Sequence, residues 1–164
     1  MLRNGLQIID FTPAHAAAFL RLNLEWLEKY FYVESIDRRV LSNPQAEIID
    51  KGGFILFAIA DDEAVGTVAL KSFGTGVFEL TKMAVTAAQQ GKGTGRALVN
   101  AAIDRFSAVS GAMLYLETHS SLTTAIALYE SAGFVHRQPP RPSEYDRADT
   151  YMVYEPGLKS LKNR

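Results

Sequence analysis

The chain has 164 residues, no cysteine and a formal net charge of -1. That length permits a domain with a sizeable core. The missing thiols exclude disulfides, a thiolate zinc site and a cysteine nucleophile, and the near-neutral balance excludes a global field that would recruit nucleic acid.

The predicted elements begin with LQIIDF (6–11), a first strand that stops at Thr12-Pro13. Thr12 is placed to cap a helix whose first residue is Pro13. In that helix Phe19, Leu22, Trp26 and Tyr30 share one side, with Leu20, Leu24, Leu27 and Phe31 beside them. Arg21, Glu25, Glu28 and Lys29 face away, and Glu25–Lys29 has favourable i,i+4 spacing. Short helical pieces follow around Ser35–Leu41 and Pro44–Lys51, expected to be mobile or to line a pocket. FILFAIA (54–60) is a buried strand by its unbroken apolar character. DDE turns the chain, AVGTVALKSF (64–73) returns, Gly74-Thr75-Gly76 turns it again and VFELTKMAV (77–85) completes an antiparallel meander. A long helix then buries Leu98, Ala102, Phe106 and Val109, turns Asn100, Asp104 and Ser107 to water, and ends at Ser110-Gly111. AMLYLET (112–118) is a strand, LTTAIALYESA (122–132) a helix closed by Gly133, and FVH (134–136) and TYMVYE (150–155) are two strands around a proline-rich loop. The expected class is α/β with a mixed (α+β) sheet: about seven strands and four helices, the meander followed by a right-handed β-α-β crossover. One domain spanning 1–164, with its core at about 6–155, is expected.

Between the third meander strand and the long helix lies QGKGTGR, residues 90–96. Glycines at the mouth of a helix read either as an anion site or as a flexible glycine-rich turn. The first helical N–H groups lack internal partners and the helix dipole places about half a positive charge there. Lys92 and Arg96 add charge. The P-loop pattern G-x-x-x-x-G-K-[ST] does not fit GKGTGRAL. The dinucleotide pattern G-x-G-x-x-G also fails, because its third glycine falls on Arg96 or Leu98.

The pattern that does fit is Q-x-x-G-x-G, Gln90 to Gly95. It resembles the acetyl-CoA signature of the GNAT superfamily of N-acetyltransferases. ELTKMAV (79–85) resembles the family's fourth strand, TAIALYESAGF (124–134) resembles its tyrosine-bearing helix, and the resemblance runs from about Phe11 to Glu155. It implies a GNAT-like fold and acetyl transfer from acetyl-CoA to a primary amine, by direct attack in a ternary complex. It also implies that the backbone of Met83, Ala84 and Val85 holds the pantetheine arm, with an N–H there meeting the carbonyl oxygen. The pyrophosphate would rest on N–H groups from Gly91, Lys92, Gly93, Thr94, Gly95 and Arg96. One departure is Leu122, where the family often has an asparagine that contacts CoA; Ser120 and Ser121 are the neighbours able to replace it.

Aminolysis of a thioester needs a neutral amine, a stabilised oxyanion and a leaving thiolate. Tyr129 is the candidate acid at the sulfur. A thiol near ~8.5 and a tyrosine near ~10 make full transfer uphill by ~2 kcal/mol, so a hydrogen bond to the sulfur is as plausible as donation. Glu79 and Glu117 match positions that serve as base in different family members, and both stay open. A glutamate at about 4.3 must be raised by burial or act through a water. Neutralising a lysine-like amine at pH 7 costs ~4.6 kcal/mol, an α-amino group about 1.4, so a low-pKa acceptor can dispense with a base.

His15, His119 and His136 lack metal-ligand spacing, and no metal is expected. His119 is at most an auxiliary base. Arg141, Tyr145 and Arg147 of the proline-rich loop could cover the acceptor pocket, and Arg38 and Arg39 could hold an acceptor carboxylate, although exposed positions suit all of them. The start lacks the apolar stretch of a signal peptide, and no apolar run approaches the ~18 residues of a membrane span. The expected setting is therefore cytoplasmic, without membrane or nucleic-acid partners and with a small-molecule or peptide amine as acceptor. Relatives of such domains often pair, so a homodimer is among the expectations. Two rivals remain: a non-catalytic acyl-CoA-binding sensor or interaction module, favoured by Leu122, and a nucleotide-binding oxidoreductase that would bind NAD.

Overall fold

The computed structural model describes residues 5–157, so the expected domain ends at 1 and 164 lie outside the described residues. Hydrophobic alternation sets its layers. In β2 (Phe54–Ala60), Ile55 and Phe57 enter one apolar cluster and Leu56 and Ala58 the other. A strand buried on both faces reads as a continuous apolar run, which is why FILFAIA shows no polar break.

Among the described residues the sheet has seven strands in the order β1-β2-β3-β4-β5-β7-β6. The others are β1 (Gln7–Asp10), β3 (Glu63–Ser72), β4 (Val77–Val85), β5 (Met113–Thr118), β6 (Phe134–His136) and β7 (Thr150–Tyr154). Every neighbouring pair is antiparallel except β4 and β5, the crossover pair, which are parallel. Helices α1 (Ala16–Tyr30) and α2 (Ser35–Ser42) cover one face; α3 (Thr94–Ala108) and α4 (Thr123–Ala132) cover the other. This is the expected mixed sheet with meander and crossover.

Leu98, Val99, Ala102 and Phe106 of α3 join Tyr129 and Phe134 in one cluster; Phe19, Leu22 and Leu27 of α1 join Val40, Leu41 and Ile48 in the other. The close approach of α3 to β3 depends on Gly66, where an added Cβ would stand 2.9 Å from Leu98 Cδ1.

Several local expectations change. The first helical turn, Pro13–His15, is 3-10, and Thr12 does not cap it; its hydroxyl sits 2.9 Å from His15 Nδ1. Val109 is not in the buried stripe: α3 ends at Ala108, so Val109 is the C-cap and 42% exposed. Tyr30, the last residue of α1, is 41% exposed. Glu25 does not pair with Lys29. Its Oε1 accepts from Thr86 Oγ1 at 2.9 Å and from the Ala87 N–H at 3.1 Å, tying α1 to the end of β4. In the pieces after α1, Val40, Leu41 and Ile48 are core residues, the last in a π-helical turn over Gln45–Ile49.

Candidate active site

The site begins with an irregularity in β4. Phe78 and Leu80 face the α3 layer, and so do Met83 and Val85, a spacing that strict alternation forbids. The extra residue is Lys82, at φ 53, and the β3–β4 register shifts there. This is a β-bulge, a device that re-aims side chains and increases local twist. Pairing between β4 and β5 stops at Glu79↔Tyr115. Beyond that point the two parallel strands splay, and no β5 residue pairs with Leu80 to Val85.

A groove of about 650 Å³ fills one side of the splay. Met83, Ala84 and Val85 line it at the strand end, and Gly91, Gly93, Thr94, Gly95 and Arg96 at the loop. Gly91 and Gly93 adopt φ of 77 and 85, with nothing within 4 Å of an added Cβ. Glycine is therefore favoured by conformation, and the surface it leaves is bare backbone. Among the described residues no main-chain carbonyl accepts from the N–H groups of Gly91 to Arg96. Gln90 secures the loop by donating from Nε2 to the Val85 carbonyl at 3.1 Å. Lys92 is exposed and does not border the groove; Arg96 does, while its Nη1 donates to Ser131 Oγ at 3.0 Å. A diphosphate fits this set: unpartnered donors converge at a helix N-terminus and a cation stands nearby.

Leu122 is the residue before α4 and lines the groove without capping the helix. Of its neighbours, Ser120 gives both its N–H and its hydroxyl to Asp149 at 2.7 Å, while Ser121 borders the groove.

On the other side of the splay a smaller cavity of about 120 Å³ is lined by Glu79, Glu117 and Tyr129, together with Lys82, Tyr145 and Arg147. It shares Trp26, Met83, Leu122 and Ala125 with the groove, so the two meet at the strand fork. Glu79 is 7% exposed. Burial, and next the charge of Glu117, push its carboxyl up to about 7. Ser143 Oγ donates to Glu117 Oε2 at 2.7 Å. Burial pushes the Tyr129 phenol up, which keeps it protonated, and among the described residues nothing hydrogen-bonds its hydroxyl.

The roof is the loop 137–149, fastened by a charge network that sequence reading did not find. Arg147 forms two hydrogen bonds with the fully buried Asp37, at 2.7 and 2.9 Å, and one with Glu34 at 2.8 Å. Lys82, re-aimed by the bulge, donates to Asp37 at 2.8 Å and to the Tyr145 hydroxyl at 2.9 Å. Burial alone would raise Asp37, but these donors overcome it and hold the carboxyl at about 2. Arg147 and Tyr145 thus do line the pocket, while Arg141 borders a different cavity. Arg38 and Arg39 are exposed, and Arg39 lies 3.8 Å from Glu47. His119 also borders the cavity. The Ser121 N–H donates to its Nδ1 at 3.1 Å, which leaves the proton on Nε2, 3.5 Å from Asp149. Among the described residues no group of three His, Asp or Glu side chains could hold a metal, and no helix is long and apolar enough to cross a membrane.

Known structures share this architecture. A GNAT-family acetyltransferase from Staphylococcus aureus Mu50 superposes with a TM-score of 0.82 at 19% identity, over 92% of this chain and 99% of that one. The PaiA N-acetyltransferase of Thermoplasma acidophilum, solved in complex with coenzyme A, gives 0.74 at 18% identity, over 92% and 98%. The ribosomal-protein-alanine N-acetyltransferase of Brucella melitensis gives 0.69 at 19%, over 90% and 98%. At these identities the likeness shows the fold alone. No curated protein matches the sequence significantly. The sequence profile of the acetyltransferase (GNAT) family, however, matches residues 20–134, well over half the chain. The chain belongs to the acetyltransferase (GNAT) family.

Proposed function

We propose that this protein is an N-acetyltransferase that moves an acetyl group from acetyl-CoA to a primary amine by direct attack in a ternary complex. The observation that carries the reading is the meeting of two spaces at the β4–β5 fork. One is a groove lined by the loop 91–96, whose N–H groups meet no main-chain carbonyl among the described residues; the other is a cavity holding Glu79, Glu117 and Tyr129. That one solved neighbour holds coenzyme A supports the choice of donor. Acetyl-CoA supplies an activated thioester carbonyl.

The residues of this chain bind, orient and move protons. The N–H groups of Gly91 to Arg96 hold the diphosphate, and the edge of β4 at Met83 to Val85 holds the pantetheine arm and offers an N–H to the carbonyl oxygen. Glu79, held near neutrality by burial, takes the proton of the incoming ammonium; Glu117 keeps Glu79 basic through its charge. The nitrogen then bonds to the acetyl carbon, the carbon–sulfur bond breaks, and the sulfur keeps its electron pair and takes the second proton that the nitrogen sheds. Tyr129 donates a hydrogen bond to that sulfur. Burial makes its phenol a weaker acid than ordinary tyrosine, so complete transfer is disfavoured. The products are the acetamide, the CoA thiol and one released proton.

The test is thiol release from acetyl-CoA across a panel of amines. Turnover above hydrolysis with at least one amine is expected. Tight CoA binding with no turnover on any amine would instead identify a sensor, the reading that Leu122 favours.

A further inference from the structure

A second cavity, of about 350 Å³, is lined by Phe73, Tyr115, Tyr151, Pro140, Arg141 and Glu117. Leu114 and Leu116 point into the α3–α4 layer, so Tyr115 and Glu117 point to the opposite face of the sheet. Helices α1 and α2 cover that face over β2 to β4. Over β5 and β7 the cavity wall comes from the loop 137–149, through Pro140 and Arg141. Three rings line it beside the aliphatic Val77 and Met113: the Tyr115 and Tyr151 rings lie 5.5 Å apart, and Phe73, 46% exposed, lies 6.1 Å from Tyr115.

Two cations stand near this space and close no ion pair among the described residues: Arg141, which lines it, and Lys71, which lies opposite Glu79 in the β3–β4 register. Lys71 Nζ lies 5.5 Å from the Phe73 ring centroid, and Arg141 shares the cavity lining with Tyr115 and Tyr151. Glu117 borders both this cavity and the one holding Glu79 and Tyr129, so it joins the two.

We propose that this cavity seats the body of the acceptor, and that the acceptor is an aromatic amine bearing a carboxylate. Its ring lies against Phe73, Tyr115 and Tyr151, its carboxylate meets Arg141 and Lys71, and its amine passes Glu117 to reach Glu79. The inference rests on the acetyltransferase reading above. A flat ring matches walls that favour offset or edge-on aromatic contact, and an unpaired guanidinium matches a carboxylate bidentately. A polyamine would place a second ammonium against Lys71 and Arg141.

Two measurements test it. Thiol release is compared for phenylalanine and tryptophan against phenethylamine, leucine and 1,4-diaminobutane. The aromatic amino acids are expected to exceed each of the others at least tenfold in kcat/KM. In Arg141→Gln the preference for phenylalanine over phenethylamine falls at least tenfold, through KM. An equal or reversed order in the wild type, or a ratio that Arg141→Gln leaves unmoved, overturns the proposal. The second measurement needs no turnover: N-acetylphenylalanine is titrated into the CoA-saturated protein. Binding at least tenfold weaker in Phe73→Ala is expected, and no binding to the wild type overturns the proposal. Should no amine release thiol while N-acetylphenylalanine still binds, catalysis fails and the cavity stands. A dimer that dissociates in Phe73→Ala would make a second copy of the chain the occupant and overturn the proposal. Phe73 and Arg141 are exposed, so both variants are expected to fold, which circular dichroism checks.

Discussion

Glu79 shows how one residue can be poor for stability and suited to chemistry. A carboxylate buried to 7% exposure, with Glu117 near it, is pushed up to about 7. Because the folded value lies above the unfolded one, its contribution to stability is fully present below about pH 4.5 and is lost as pH rises through about 7. Glu79→Gln is therefore expected to stabilise the fold at pH 8 relative to its effect at pH 4, by on the order of 1–3 kcal/mol, as read by urea unfolding at both pH values. The same variant should lower kcat/KM and remove the acidic limb near pH 7 from its profile; a profile identical to wild type would assign the base elsewhere. Tyr129→Phe removes a donor without changing the shape of the cavity. A 10- to 100-fold fall in kcat with an unchanged dissociation constant for CoA is expected, a loss of about 1.4–2.7 kcal/mol at the transition state. Stopped-flow thiol detection and calorimetry separate the two.

At the scale of elements, β4 and the loop 137–149 depend on each other. The bulge at Lys82 sends an ammonium across to Asp37, and Asp37 also holds Arg147 of the loop. Removing one partner of a buried charge network costs about 3–5 kcal/mol, because the remaining charges lose compensation. Asp37→Asn is expected to show a loss of that size in equilibrium unfolding. The pH dependence has the opposite sign to that of Glu79. The depressed carboxyl stabilises the fold above about pH 4, and this contribution is lost as pH falls through about 2. The glycine loop gives a further expectation. At Gly93 an alanine finds open space but a φ of 85, so Gly93→Ala costs about 1 kcal/mol of stability and weakens CoA binding. The elements also show where sequence reading stops. Strand and helix order could be read because apolar alternation and turn residues are local signals, and the GKGTG stretch carried its own explanation. The Asp37–Lys82–Arg147 network could not, since its members are 45 and 65 positions apart and meet only because one extra residue in β4 reverses the direction of Lys82. The Glu25 contact with Thr86 was hidden for the same reason: an i,i+4 partner is visible in sequence, and a turn 61 residues away is not.

Across the whole molecule, one departure from regularity organises the rest. Four antiparallel strands, β1 to β4, build a stiff half-sheet, β5, β7 and β6 build another, and the two join only over Val77 to Glu79 before diverging. Backbone that would otherwise be spent on pairing is left facing the gap, where the groove and the carboxylate cavity meet. The identity of Glu79, Glu117 and Tyr129 as cavity neighbours was legible only through the family resemblance, because residues 79, 117 and 129 converge by topology rather than by spacing. The central claim is that free N–H groups at the mouth of α3 hold the diphosphate of the donor. Calorimetric titration of acetyl-CoA and of acetyl-pantetheine, which carries the same thioester but no diphosphate, tests it most directly. Acetyl-CoA is predicted to bind at least 100-fold more tightly; equal affinities, or no heat with acetyl-CoA on folded protein, would contradict it.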